Sequence, residues 1–188
     1  MTLIEEISSY QAENEVEQAE KAAFLQFLKT FGENVYTRDN MVGHLTATAW
    51  VVNKERTKVL MAYHKLYQSW AWLGGHSDGE RDLAAVALRE AQEESGIKHM
   101  QLVMKKPVDL NVCGVVPHFK RGKYVPRHLH YNLVYLLETD EGESPQANPD
   151  ENEAVGWVDF GKINVFCKED DVTPYSLRII DKIKKEKL

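Results

Sequence analysis

The stretch REAQEESGI, Arg89 to Ile97, places Glu90, Glu93 and Glu94 within a segment otherwise rich in Leu, Ala and Val. Spaced i, i+3 and i+4, these carboxylates share one face of a helix. Three anions so placed repel one another by a few tenths of a kcal/mol per pair, and by more where water is excluded. An oxygen-rich anionic face of this kind suits a hard divalent cation. Advancing about 100° per residue from Leu83 brings Val86, Ala87 and the three glutamates onto the same third of the circumference, so the charges continue the apolar stripe. Solubility alone would set them opposite, beside Ala85, Arg89 and Gln92. Arg89 can brace one carboxylate but leaves the cluster negative. The plain alternative is a solvated acidic patch at the end of the stripe.

The segment upstream favours the cation. WAWLGGHSDGE, residues 70 to 80, carries Gly74, Gly75 and Gly79 where a short strand must turn sharply into the helix. Such a loop brings a ligand close to backbone N–H groups and a helix N-terminus, a known way of holding phosphate. Asp82 can cap the helix DLAAVALREAQEES, and Gly96 can close it in a left-handed conformation.

Taken together, GGHSDGERDLAAVALREAQEESGI, residues 74 to 97, resembles the Nudix box: glycine, five residues, Glu, seven residues, then Arg-Glu-U-x-Glu-Glu-x-Gly-U, with U aliphatic. The spacing from Gly75 to Arg89 is the one the box requires, and Arg89, Glu90, Glu93, Glu94, Gly96 and Ile97 match it. Two positions depart: Arg81 stands where the first box glutamate belongs, with Glu80 one place early, and Leu73 stands where many members carry proline. HLTATAWVV ahead of a hairpin and Glu153 four places before Trp157 also resemble the family. The likeness spans roughly residues 42–160.

The resemblance implies a Nudix-type α/β/α sandwich with a mixed β-sheet, of class α/β (α+β), forming a single domain over 1–188. Within it lie an N-terminal helical extension at 1–33, a core at 42–160 and a C-terminal helix at 174–188. It further implies metal-dependent hydrolysis of a diphosphate bond in a nucleoside diphosphate linked to another moiety, with Mg²⁺ or Mn²⁺ as cofactor. Glu90 and Glu94 are then the metal ligands, with Glu93 a third ligand or assisting group, and Arg89 orients a box glutamate. Gly74, Gly75 and His76 form the phosphate-binding loop. The water-activating base comes from the box or from downstream, where Glu151 and Glu153 are candidates. The partner is a small nucleotide-type substrate, and a homodimer is compatible with the family. A non-catalytic nucleotide-binding regulator of the same fold is the alternative, although the intact glutamates speak against it. Isopentenyl-diphosphate isomerase ranks lower, because HLTATAWVV lacks the cysteine that activity resembles.

The elements that must position these groups follow from periodicity. Val16, Ala19, Ala23, Phe24, Phe27, Leu28 and Phe31 recur at steps of three and four, which predicts an amphipathic helix over 13–31 ended by Gly32. HLTATAWVV and KVLMAYH predict a hairpin around NKERT, and VDLNVCGVV, HLHYNLVYLLE and AVGWVDF three further strands. The acidic, turn-rich ETDEGESPQANPDENE reads as a loop. From Pro174, Leu177, Ile180 and Ile183 predict a closing helix whose basic residues form a solvated face.

With 188 residues, 43% hydrophobic and 28% charged, the chain has the make-up of one globular domain. A net charge of −6 disfavours nucleic acid or an anionic membrane as a partner. The acidic start lacks the order of a secretory signal, and no apolar run approaches the roughly 18 residues of a membrane span, so a cytoplasmic location is expected. Cys113 and Cys167 read as reduced, structural thiols. His128 and His130 point to one face of a strand. The pair has the donors for a transition metal, but the sequence places no third ligand, so substrate contact or packing is the expectation. Trp70, Trp72 and Tyr131 could stack a base, though core packing is the commoner role of such residues.

Overall fold

The computed structural model describes residues 2–64, 68–120, 122–149, 152–168 and 172–186. The acidic start folds as helix α1, Leu3–Ser9, because Thr2 and Glu5 make a reciprocal capping box that satisfies two backbone N–H groups. Helix α2, Glu15–Phe31, is capped by Asn14 and ended at Gly32. A 3-10 turn over Gly32–Tyr36 leads into strand β1, Gly43–Val52. Strands β2, Lys58–His64, and β3, Ser69–His76, follow. Helix α3, Leu83–Ser95, carries the box glutamates. Then come β4, Met100–Leu102; β5, Asp109–Val115; β6, His118–Lys120; β7, Lys123–Val125; β8, His128–Thr139; and β9, Asn152–Asp159. A short α4, Ile163–Phe166, and α5, Thr173–Glu186, complete the described chain.

The main sheet runs β4-β8-β1-β3-β2-β9, with β5 also on β8, while β6 and β7 pair separately. The β1–β8 pairing is parallel and the other pairings are antiparallel, so the sheet is mixed. Alternation along β1 sends Leu45, Ala47, Ala49 and Val51 into an apolar cluster shared with α1, α2 and α3. Trp50 and Val52 enter a second cluster with α4 and α5. The sheet therefore lies between two helical layers, the α/β/α arrangement expected from the box.

Two helices bury most of the predicted residues, Phe24, Phe27 and Leu28 of α2 and Ile180 and Ile183 of α5, but each buried face is shifted from the expected one. On α2, Val16 is exposed, while Glu17 and Glu20 join Phe24, Phe27 and Leu28 on the buried side. On α5, Leu177 is exposed and Ile179, Ile180 and Ile183 are buried. Nor is the basic face of α5 wholly solvated. Lys182 Nζ donates to Glu17 and Asp109 at 2.9 and 2.8 Å, and Arg178 to Asp109 and Glu20. The buried acids of α2 and β5 draw these cations inward, because an unpaired buried carboxylate costs more than the burial of its partner. No described helix is long and apolar enough to cross a membrane.

Candidate active site

Helix α3 begins where Asp82 accepts from the Ala85 N–H and ends at Gly96, whose φ of 71° is left-handed. Between these caps its apolar residues Leu83, Val86 and Ala87 lie buried against the sheet, which points the next turns of the same face at the end of β3. There the glycines matter. The Gly74 N–H donates to Glu94 at 3.0 Å. A Cβ on Gly75 would lie 2.3 Å from a Glu90 oxygen, so the carboxylate fills the space a side chain would take. At Gly74 a Cβ would meet the Ala47 carbonyl oxygen at 2.4 Å. Arg89 donates to Glu90 at 2.8 Å and stands 3.9 Å from Glu93, whose side chain is largely exposed. Glu90 and Glu94 are thus gathered on the glycine strand, one by shape and one by a hydrogen bond.

The start of the box is built differently. Glu80 accepts from the backbone N–H groups of Arg81 and Asp82, at 2.8 and 3.1 Å, which makes it a brace for the loop entering α3. These bonds hold its carboxyl below the ordinary range. Arg81 pairs with Glu33 and lies over the Tyr36 ring, so the basic residue at the first glutamate position reaches back to the 3-10 turn. Glu153 is exposed on edge strand β9 and does not line the cleft described next. Glu151 lies outside the described residues.

A cleft of about 480 Å³ runs over the sheet, lined by Gly74, Gly75 and Glu94 at one side and by the β6–β7 hairpin with Lys120 and Lys123 at another. Its floor is polar. Asn132 accepts from Thr46 and Thr48 at 3.0 Å each and donates to Asn111 at 3.1 Å, tying β1, β8 and β5 together. Six of the seven histidines line the cleft, and four of them, His44, His76, His128 and His130, stand together beside this chain. The register places His44 opposite His130 and Thr46 opposite His76, so all three imidazoles occupy one sheet face. His76 and His130 approach Nε2 to Nε2 at 3.2 Å, and His128 and His130 at 3.3 Å.

Burial pushes the His44 imidazole down to about 4, and His76 and His130 down to about 2, with neighbouring imidazoles and Arg38 adding to the effect. The backbone of Asn40 works weakly the other way on His44. It falls short of hydrogen-bond geometry, so both ring nitrogens of His44 are buried without a partner among the described residues. The H-x-H spacing signalled His128 and His130. Their meeting with His44 depends on the parallel β1–β8 register and with His76 on the antiparallel β1–β3 register, which no local pattern encodes. Of the aromatic residues, Tyr131 is buried and stacked on Phe27 with ring centroids 3.8 Å apart, whereas Trp72 lines the cleft. Cys113 and Cys167 are not joined in a disulfide.

The family model described as NUDIX domain matches residues 43–182, running past position 160 into α5. No curated protein matches the chain. Among solved structures, a NUDIX-family hydrolase from Clostridium perfringens is similar at 18% identity, with 73% of this chain and 96% of that one covered and a TM-score of 0.56. The E. coli dihydroneopterin triphosphate pyrophosphohydrolase is similar at 15% identity, 81% and 99% coverage and a TM-score of 0.55. A C. elegans Ap4A hydrolase in a binary complex follows at 14%, 76% and 96%, and 0.52. At these identities the structures speak for the fold alone. The family model spans most of the chain, and the box it covers ends in two carboxylates gathered on a glycine strand; the chain belongs to the Nudix family, hydrolases of phosphorus-containing anhydrides.

Proposed function

We propose that the protein hydrolyses the diphosphate bond of a nucleoside diphosphate linked to another moiety, with water attacking phosphorus and Mg²⁺ or Mn²⁺ as cofactor. The observation that carries this reading is the gathering of Glu90 and Glu94 on Gly74 and Gly75. Their donor set is anionic oxygen on one helix face, open to a cleft on the Glu94 side, which fits a hard divalent ion that keeps places for water and phosphate oxygens. Glu90 and Glu94 would hold it, with Glu93 as third ligand or helper. When bound, the ion sets positive charge against the diphosphate and helps activate water.

The remaining work falls to the chain. Arg89 keeps the Glu90 carboxylate from swinging into solvent, which is a positioning role. Glu93, largely exposed one helical turn past Glu90, would accept a proton from the attacking water. The Gly74 N–H is engaged by Glu94, so the glycines serve the phosphates chiefly by leaving room beside the carboxylates. Lys120 and Lys123 of the hairpin bring positive charge to the cleft for the substrate's anionic groups. A cleft of this size with Trp72 in its wall suits a nucleotide-type ligand.

The test is to incubate the protein with Mg²⁺ and a panel of nucleoside diphosphate derivatives, and to repeat it with Glu94→Gln. Wild-type turnover with a loss of about 100-fold or more in the variant, worth about 2.7 kcal/mol, is expected. Equal turnover by the two proteins would overturn the assignment.

A further inference from the structure

Apart from the expected place of His76 in the glycine loop, the histidine cluster has no part in that chemistry. Among the described residues, His44, His76 and His130 offer ring nitrogens that all lie within 4.8 Å of one another. They come from three adjacent strands, β1, β3 and β8, whose register is locked by the main sheet, so their convergence is a property of the fold and not of a mobile loop.

Hydrogen bonding alone leaves the cluster unsatisfied. His128 has its Nδ1 2.9 Å from the Pro126 carbonyl oxygen, which accepts only if Nδ1 carries the proton. The Nε2 of a neutral His128 is then a bare lone pair, and it faces His130. His130 Nε2 is in turn flanked by both His128 and His76. At most one proton sits well between His130 and these two neighbours, so at least one contact lacks a good hydrogen bond. His44, 5% exposed, has both nitrogens unpartnered among the described residues, with its ring centroid 4.9 to 5.0 Å from those of His76, His128 and His130. Buried polar atoms are ordinarily paired, and an exception of this density calls for a missing partner.

The missing partner is electron-poor. Lone pairs aimed at one another repel an anion as they repel each other, and uncharged imidazoles bring no positive charge to hold one. Neutral imidazole is, however, a preferred ligand of borderline transition metals, whereas Mg²⁺ prefers oxygen. With Zn–N bonds of about 2.0–2.1 Å, two nitrogens of a tetrahedral site stand about 3.3 Å apart. The observed Nε2 separations of 3.2 and 3.3 Å are already at that spacing. The Pro126 carbonyl supplies the outer hydrogen bond that fixes the tautomer and ring direction of a ligating histidine.

We propose that His44, His76 and His130, with His128 alongside as a fourth nitrogen, bind a divalent transition metal of the Zn²⁺ class, at a site separate from the box glutamates. The ion lies in the wall of the cleft, where His76 and His130 are half-buried and His44 and His128 close it from behind.

The full chain, stripped of metal with a chelator, is titrated with Co²⁺ in excess Mg²⁺, and visible absorption is followed. One equivalent is expected to give the intense d–d bands of four or five coordination, removed by Zn²⁺ and retained in a Glu90→Gln, Glu94→Gln double variant. His76→Asn with His130→Asn is expected to abolish the bands, a greater loss than the roughly 10–100-fold that an outer partner costs. Circular dichroism of the metal-free variants checks that they fold. Should they not, histidine ring ¹⁵N resonances of the wild type decide instead: selective shifts of several rings on addition of one equivalent of Zn²⁺ support the site. A wild type without intense bands or shifts overturns the proposal, as do bands lost in the carboxylate variant and kept in the histidine variant. Neither readout uses turnover, so failure here and failure of the hydrolase reading are separate results.

Discussion

The protein buries two polar clusters, and they are built to opposite rules. Between α2, β5 and α5, Glu17, Glu20 and Asp109 meet Arg178 and Lys182, and nearly every donor finds an acceptor: Lys182 alone donates to Tyr10, Glu17, Asp109 and the Val108 carbonyl. Under the cleft, four imidazoles crowd together, two nitrogen–nitrogen contacts meet at His130 Nε2 with at most one well-placed proton between them, and both nitrogens of His44 lack a partner among the described residues. Balanced charge with satisfied hydrogen bonds needs nothing further and fastens the two helices to the sheet. A cluster that the chain does not satisfy by itself marks where something else binds. Each cluster has a buried centre, Glu17, Asp109 and Lys182 in one and His44 and His128 in the other, and the two centres differ in their partners.

The comparison breaks most sharply at Lys182. Lys182→Met removes the cation between Glu17 and Asp109 and leaves two carboxylates buried, so a loss of about 3–5 kcal/mol in urea-induced unfolding is expected. A change below about 1 kcal/mol would show that water reaches the network and that the contrast is not one of partners alone. Acid probes the same cluster reversibly. Burial pushes the Glu17 carboxyl up, but hydrogen bonds from Lys182 and Tyr10 and the Lys182 charge outweigh it and leave the group below the ordinary range. Asp109 and Arg178 face it from β5 and α5. A carboxyl lowered on folding contributes stability above its unfolded pKa of about 4.3 and loses it as pH falls through the folded value. Urea midpoints measured downward from pH 5 should therefore fall in the wild type more steeply than in Glu17→Gln.

How far each region was legible follows from the range of the interactions that build it. The box on α3 was readable in full, because cap, stripe, glutamates and terminal glycine are all local to one helix. The hairpin of β1 and β2 was readable for the same reason. On α2 the pattern finds Phe24, Phe27 and Leu28 but not their acidic neighbours: Glu17 and Glu20 count as polar in any periodicity, and only Arg178 and Lys182, more than 150 positions away, make them core residues. In the cleft, His128 and His130 announced themselves by alternation. His44 did not, since it meets His130 through a parallel pairing between strands more than 80 residues apart. Arg81 was visible as a departure from the box, but its turn toward Glu33 depends on where the 3-10 segment lies.

A smaller effect tests whether the glycine strand serves the carboxylates as the network serves the helices. In Gly75→Ala the new methyl would lie 2.3 Å from a Glu90 oxygen and 2.4 Å from its carboxyl carbon. A side-chain end can move aside where backbone cannot, so the protein should fold while Glu90 leaves its place. A fall in kcat/KM of about 10-fold or more, or about 1.4 kcal/mol, with little change in melting temperature is expected in the Mg²⁺ assay. Unchanged kinetics would mean that the position of Glu90 on the glycine is incidental.

The least costly change should be the one that a purely structural view ranks among the most severe. His44 is buried near the start of the central strand β1, and a core histidine with paired nitrogens would lose hydrogen bonds on conversion to leucine. Here neither nitrogen has a partner among the described residues, so His44→Leu deletes two unsatisfied polar atoms at nearly constant volume. Removing such atoms is close to neutral or stabilising, and the change in unfolding free energy in the presence of a chelator is expected to stay within about 1 kcal/mol. With Zn²⁺ present the order should invert, because a ligand that binds only the folded state raises its stability and the variant lacks one of the nitrogens that would hold it. Urea titrations of both proteins, with chelator and with Zn²⁺, measure this. A loss of several kcal/mol already in chelator would place His44 with Lys182, as a paired structural group, and the distinction between the two clusters would fail at its most buried residue.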